Sequence, residues 1–293
     1  MTIFLKPLEL LWRGVNRVRR ALYRRGVMKP RRLPRPVISV GNLAAGGTGK
    51  TPAVITIARY LEKRGFRVAV LTRGYGRAAN ASGVVTSLDA ATFGDEPVLL
   101  KSKLKNIDVI VGPKRYQNAI RLLNANECDL FILDDGFQHL QLARDVNVVV
   151  DAGNGVMREG RSALADADFI LQRRLRLIVP EELTNRRVFA FAGLADNEQF
   201  FASLRANGLK IAGTSSFRDH HRYTAADIAA IKQAAQTARA EAIVTTEKDA
   251  VKVDDRDIIA IAAEMIIEPE ILAAIAERIS GLGGDLPRIC PSN

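Results

Sequence analysis

At 293 residues the chain is long enough for one large or two modest α/β cores, and its 47% hydrophobic and 26% charged composition excludes collagen-like, mucin-like and disordered classes. Cys128 and Cys290 are too far apart in sequence to read as a ligand pair, so neither a disulfide framework nor a zinc site is indicated, and a reducing cytosol is the simplest setting. The net charge of +11 is concentrated at one end: residues 1–36 hold eleven basic residues and one acid, a balance of +10. A nucleic-acid-binding body would spread its basic surface over the fold, so no nucleic-acid partner is expected.

In that basic arm Phe4, Leu8, Leu11, Val15, Val18 and Leu22 recur at helical spacing, with Trp12 alongside and arginines filling much of the other side. Such a helix fits the headgroup region of an anionic membrane through residues 1–25, and it is too charged to span a bilayer. A helix packed on the chain's own core and an Arg-rich transit peptide are the competing readings. The proline-rich stretch Lys29 to Pro36 reads as an extended linker. Short apolar runs follow at Val37 to Val40, Val68 to Thr72, Asp108 to Val111, Leu130 to Leu133, Val146 to Val150 and Phe169 to Leu171. They predict strands buried on both faces of a mostly parallel sheet, with a crossover helix over Lys50 to Arg64. Around Leu175 to Arg187 the pattern breaks into a basic, polar connection. A smaller alternation resumes with strands at Val188 to Phe191 and Ala242 to Thr245 and helices at Asn197 to Asn207, Ala225 to Thr237 and Pro269 to Ile279. The expected division is therefore an arm over 1–36, a first domain over 37–180 and a smaller α/β domain over 181–293.

The run from Val37 to Pro52 places a strand, a glycine loop and a helix start in the order that a phosphate cradle requires. Gly46, Gly47 and Gly49 let backbone amides turn toward an anion, Lys50 reaches the β and γ phosphates, and the Thr51 hydroxyl is a ligand for Mg²⁺. The nucleotide-holding segment thus comprises Ala44, Ala45, Gly46, Gly47, Thr48, Gly49, Lys50 and Thr51, with Ala44 at the first position of the pattern, where glycine is usual. The fold class that follows is α/β: a P-loop NTPase-type, mostly parallel sheet flanked by helices, with a second smaller α/β domain and an N-terminal amphipathic helix. A second station is Phe131 to His139, where an apolar strand delivers Asp134 and Asp135 at its carboxyl end, the edge at which parallel sheets bind ligands. One carboxylate would serve the magnesium, the other the reacting hydroxyl or the metal shell.

Three further clusters carry weaker signals: Arg73-Gly74-Tyr75-Gly76, Gly94-Asp95-Glu96-Pro97 ahead of a helix, and Asp219-His220-His221. Each has a plain alternative, since Arg73 could pin a loop, Asp95 cap the helix after it and His220 act as a structural hydrogen-bonder. A three-histidine metal site with His139 lacks the spacing of a known ligand motif.

Together with Val40-Gly41-Asn42 and Thr245-Thr246-Glu247-Lys248-Asp249-Ala250, these motifs occur in the order seen in the tetraacyldisaccharide 4'-kinase family of lipid A biosynthesis, which the chain resembles from Val37 to Lys252. The resemblance implies a kinase dependent on ATP and Mg²⁺ that phosphorylates the 4'-hydroxyl of an acylated glucosamine disaccharide 1-phosphate. Its expected place is peripheral, on the cytoplasmic face of the bacterial inner membrane. It further implies Asp95 as base tuned by His220, Asp134 and Asp135 at the metal and reacting centre, Thr51, Asp134 and Glu96 as metal ligands, and Arg73 and Arg115 as partners of transferred charge. The sequence departs from the family where Gly153-Asn154-Gly155 passes almost directly to Arg158-Glu159, shortening a loop that normally carries two prolines. Glu159 is kept as a candidate site residue. The rival class is a membrane-associated P-loop regulatory ATPase, whose signature lysine would stand where this chain has Ala45.

Overall fold

The computed structural model describes residues 6–44, 49–75, 77, 82–153, 159–253 and 255–282, with side chains from residue 13 onward. Ala45, Gly46, Gly47 and Thr48 of the expected phosphate cradle, and the shortened loop at 154–158, lie outside the described residues.

The first body comprises α1 (Lys6–Arg24), β1 (Val37–Asn42), α2 (Lys50–Lys63), β2 (Val68–Thr72), β3 (Gly83–Val84), α3 (Ala90–Phe93), α4 (Asp95–Lys103), β4 (Asp108–Val111), α5 (Arg115–Ala125), β5 (Leu130–Asp134), β6 (Val146–Asp151) and β7 (Phe169–Gln172). The second comprises β8 (Leu175–Ile178), β9 (Arg187–Ala192), α6 (Asn197–Ala206), β10 (Lys210–Ser216), α7 (Ala225–Thr237), β11 (Ala242–Thr246), α8 (Glu247–Ala250), β12 (Ile258–Met265) and α9 (Pro269–Ser280).

Seven strands form the first sheet in the order β3-β4-β2-β5-β1-β6-β7, parallel throughout except for the short β3. All residues of β1, β2 and β5 are buried because α2 and α5 cover opposite faces, which is why these strands read as unbroken apolar runs. From β1 the chain steps outward to β2 and β4, returns as β5 at the side of β1, then crosses to the other side with β6 and β7. The carboxyl ends of β1 and β5 flank that reversal, where open parallel sheets place their ligands. At the same edge Gly41 lets the chain after β5 come close, since a Cβ there would lie 2.5 Å from the Cβ of Phe137.

The second sheet runs β10-β9-β11-β12-β8. Where the sequence predicts a polar connection, Leu175–Ile178 instead forms β8, an edge strand antiparallel to β12. Its residues alternate between half-buried and exposed, and Arg176 pairs with Glu264 across the edge at 3.0 Å. An edge strand tolerates such arginines, and that disguises it in sequence. The change of sheet falls between Gln172 and Leu175. The chain then returns: Leu272, Ile275, Ala276 and Ile279 of α9 enter the same apolar cluster as Ile38, Val146 and Val148 of the first sheet. Among the described residues no helix is long and apolar enough to cross a membrane.

Candidate active site

At the phosphate end, β1 stops at Asn42 and α2 begins at Lys50, with Gly49 at φ +84 turning the chain into the helix. The Asn42 side chain donates to the carbonyl of Ala44 at 2.5 Å, and the Asn42 backbone carbonyl accepts from the Gln138 side chain at 2.7 Å. Lys50 and Thr51 therefore stand in the first turn of a helix whose free amides and dipole favour an anion. Lys50 Nζ lies 3.5 Å from Asp135 Oδ1, which links the cradle to the second station.

Asp134 closes β5 and is buried, accepting from Thr72 Oγ1 at 3.0 Å. Burial and the negative charges of Glu96 and Asp135 push its carboxyl up to about 7, against the Thr72 hydrogen bond and the Lys50 charge. A carboxylate crowded by like charges suits a divalent cation, and Asp134, Glu96 and Thr51 offer the hard oxygen donors that Mg²⁺ takes. Among the described residues no three His, Cys, Asp or Glu side chains gather closely enough to hold a metal unaided. Arg115, buried at the start of α5, donates to the Asp134 carbonyl at 3.3 Å, whereas Arg73 directly follows β2 and is exposed. His139 belongs to this basic neighbourhood: burial, then the charges of Arg115, Arg144, Arg19 and Arg73, lower it to about 4.

Asp95 opens α4, placed by Gly94, whose φ of +91 brings it so close to the Tyr75 carbonyl that a Cβ would sit 2.7 Å away. Though only 5% exposed, Asp95 accepts from His220 Nδ1 at 2.9 Å. The cap position of α4 is Gly94, not Asp95, and the partner of Asp95 comes from the second body, in the segment between β10 and α7. That segment is braced by the Thr224–Asp227 capping box of α7, and Asp227 also lies 3.2 Å from His221. From α8, Lys248 Nζ lies 3.1 Å from Asp219, 3.3 Å from His220 Nε2, 3.8 Å from Glu96 and 3.9 Å from Asp95. Burial alone would raise the Asp95 carboxyl; the His220 hydrogen bond and the charges of Lys248, His220 and Lys252 outweigh it and hold it below the ordinary carboxylate range. His220 is raised, chiefly by its bond to Asp95, while burial and Lys248 oppose. The arrangement is an ionised carboxylate with an imidazole bonded behind it.

Glu159 lies elsewhere in the network. It is buried and bonds Arg20 of α1 at 2.5 Å, and Arg20 also bonds Asp166 at 2.6 Å. Arg20, counted from sequence in the cationic face of the helix, is thus turned into the protein. The sequence assigns Lys248 no role of its own, although it stands in the Thr245-to-Ala250 motif.

A sequence profile described as Tetraacyldisaccharide-1-P 4'-kinase matches residues 1–179 and 174–280. The chain is 39% identical to the tetraacyldisaccharide 4'-kinase of Pelobacter propionicus, over 85% of this chain and 82% of that protein. It is likewise 39% identical to the protein of that name from Geobacter metallireducens, over 80% of this chain and 84% of the relative. A crystal structure of LpxK from Aquifex aeolicus in complex with ATP superposes with a TM-score of 0.77 at 29% identity, covering 95% of this chain and 98% of that one.

Proposed function

The chain belongs to the tetraacyldisaccharide 4'-kinase family, and from that premise we propose how its residues perform the reaction. It is a lipid A 4'-kinase that uses ATP and Mg²⁺ to phosphorylate the 4'-hydroxyl of a tetraacylated glucosamine disaccharide; the regulatory ATPase alternative is not favoured. The observation that carries the assignment of roles is the Asp95–His220 bond, which joins an ionised carboxylate on the nucleotide-binding body to an imidazole from the other body.

Asp95 accepts the hydroxyl proton as the substrate oxygen bonds to the γ-phosphorus and the bond to the β,γ-bridging oxygen breaks, with ADP leaving. His220 orients Asp95 for that transfer. Lys50 and the amides at the start of α2 hold the phosphates, and Arg115 and Arg73 would be the partners of transferred charge. Asp134, Glu96 and Thr51 would hold Mg²⁺, with Asp135 beside them, and the ion supplies neutralisation of phosphate charge. Glu159 positions rather than reacts, because its carboxylate is engaged by Arg20.

The acceptor is a disaccharide 1-phosphate bearing acyl chains, met at an anionic surface on the cytoplasmic face of the inner membrane. Support comes from the orientation of α1: Asn16 and Arg20 face inward and are buried, whereas Val15 and Val18 are 43% and 59% exposed. Core packing alone would reverse that pattern.

The test is transfer of labelled γ-phosphate to the acylated disaccharide in detergent. Asp95→Asn should lower kcat by roughly 10²- to 10⁴-fold, the usual contribution of a positioned base, with KM for ATP little changed. Rapid ATP hydrolysis without a phosphorylated lipid product would overturn the assignment.

A further inference from the structure

Arg20 stands on the helix assigned to the lipid surface, yet only 5% of it is exposed. Its guanidinium reaches Glu159 at 2.5 Å and Asp166 at 2.6 Å, donates to the Phe137 carbonyl at 3.3 Å and lies 4.4 Å from the centroid of the Phe137 ring. Buried ion clusters are poor sources of stability, since well-packed apolar replacements are often neutral or stabilising; their best-attested use is to fix one arrangement among several. The arrangement fixed here is that of Phe137. It is wedged against Gly41 of β1 and follows Asp135 by two residues, and Asp135 itself is held at φ +50, a conformation few side chains adopt without support. Next to it, Gln138 donates to the Asn42 carbonyl at 2.7 Å, and the Glu159 amide donates to the Leu43 carbonyl at 3.3 Å. One guanidinium therefore touches both the turn that presents the two aspartates and the segment bonded to the strand end feeding the phosphate cradle.

We propose that Arg20 is a positioning residue for phosphoryl transfer, through which α1 locks the Asp134-to-Gln138 turn and the Glu159–Leu43 contact in the reacting geometry. The inference rests on the kinase reading of Asp134, Asp135 and the cradle, and is independent of membrane contact. Arginine is required because a lysine, with a compact charge, cannot bridge two carboxylates and a carbonyl while stacking on a ring. Displacement of reacting groups by an ångström or so can cost up to roughly 100-fold in rate.

The test compares Arg20→Lys, Arg20→Met and Asp166→Asn in the full chain, in detergent so that membrane attachment is not limiting. For each variant kcat, both KM values and the thermal midpoint are measured. Asp166→Asn removes the outer anchor of α1 but keeps the Glu159 and Phe137 contacts. Arg20→Lys should lose roughly 10- to 100-fold in kcat with KM values near those of the unaltered chain, while Asp166→Asn should lower the thermal midpoint and keep kcat. Arg20→Met should match or exceed the lysine variant; if it fails to fold, Arg20→Lys decides. A kcat for Arg20→Lys equal to that of the unaltered chain overturns the proposal, as does an equal kcat loss in Arg20→Lys and Asp166→Asn. Absence of lipid phosphorylation by the unaltered chain counts instead against the kinase assignment.

Discussion

Lys248 meets three carboxylates and an imidazole at once, and its ammonium favours the ionised form of Asp95. With Lys248→Met the Asp95 carboxylate loses that support and holds a proton more tightly. The acidic limb of kcat/KM should therefore move to higher pH, while Lys248→Arg should keep it near its original position; a pH–rate profile of each variant decides. Asp95 and His220 could be picked out in sequence because one follows a glycine ahead of a helix and the other stands in a His pair. Lys248 stands within the Thr245-to-Ala250 motif, but its part in the site is not legible there, because a lysine at the start of a helix ordinarily reads as a solvated residue. Arg20 was hidden differently, as one of eleven basic residues whose periodicity does not reveal which of them turns inward. Backbone geometry adds what composition lacks: Asp135 and His220 both have positive φ, a conformation retained where surrounding structure enforces it.

Among the elements, legibility follows burial. Strands β1, β2 and β5 are covered on both faces and were visible as apolar runs, with β2 bounded in sequence as it is in space. The second sheet gave a fainter signal. β10 follows Ile211 with half-buried Ala212, Gly213 and Ser215 and exposed Thr214 and Ser216, so its run lacks the bulky apolar contrast that marks a strand, and in β12 the isoleucines are interrupted by half-buried Ala260, Ala262 and Ala263. Helix α1 was visible as amphipathic, but which residues turn inward depends on Glu159 and Asp166, more than 130 residues away in sequence. Its outward face supports a separate expectation. Val18→Asp replaces an exposed apolar group without touching Arg20, so vesicle cosedimentation should weaken by about tenfold or more, from the transfer energy of one valine, with the thermal midpoint retained. Equal binding to anionic vesicles would count against this face as the contact surface.

Across the whole molecule, stability should respond to acid through a few carboxylates. In Asp95, Asp129 and Asp166 burial raises the carboxyl, but His220, Arg67, and the pair Arg20 and Arg24 respectively provide hydrogen bonds that help bring each below its ordinary value. Groups with lowered folded values stabilise fully above their unfolded pKa, near about 4, and lose that contribution as pH falls through the folded values. His220, raised by Asp95, acts with the opposite sign: its contribution is complete below about pH 6.5 and lost as pH rises through its folded value. Thermal midpoints measured across pH should therefore drop steeply below about pH 4 and decline gently above neutrality. A midpoint that stays level between about pH 5 and 2 would contradict this account.

The return of α9 to the first sheet has a consequence for how the chain is made. On the ribosome, β1 and β6 emerge long before Leu272, Ile275 and Ile279, the residues that complete their apolar cover. For most of synthesis the nucleotide-binding body must wait with part of its core open, exposed to mispairing and to chaperones, and its closure is among the last events of translation. A nascent chain halted at residue 180 should consequently remain protease-sensitive, even though every strand of its own sheet is already present.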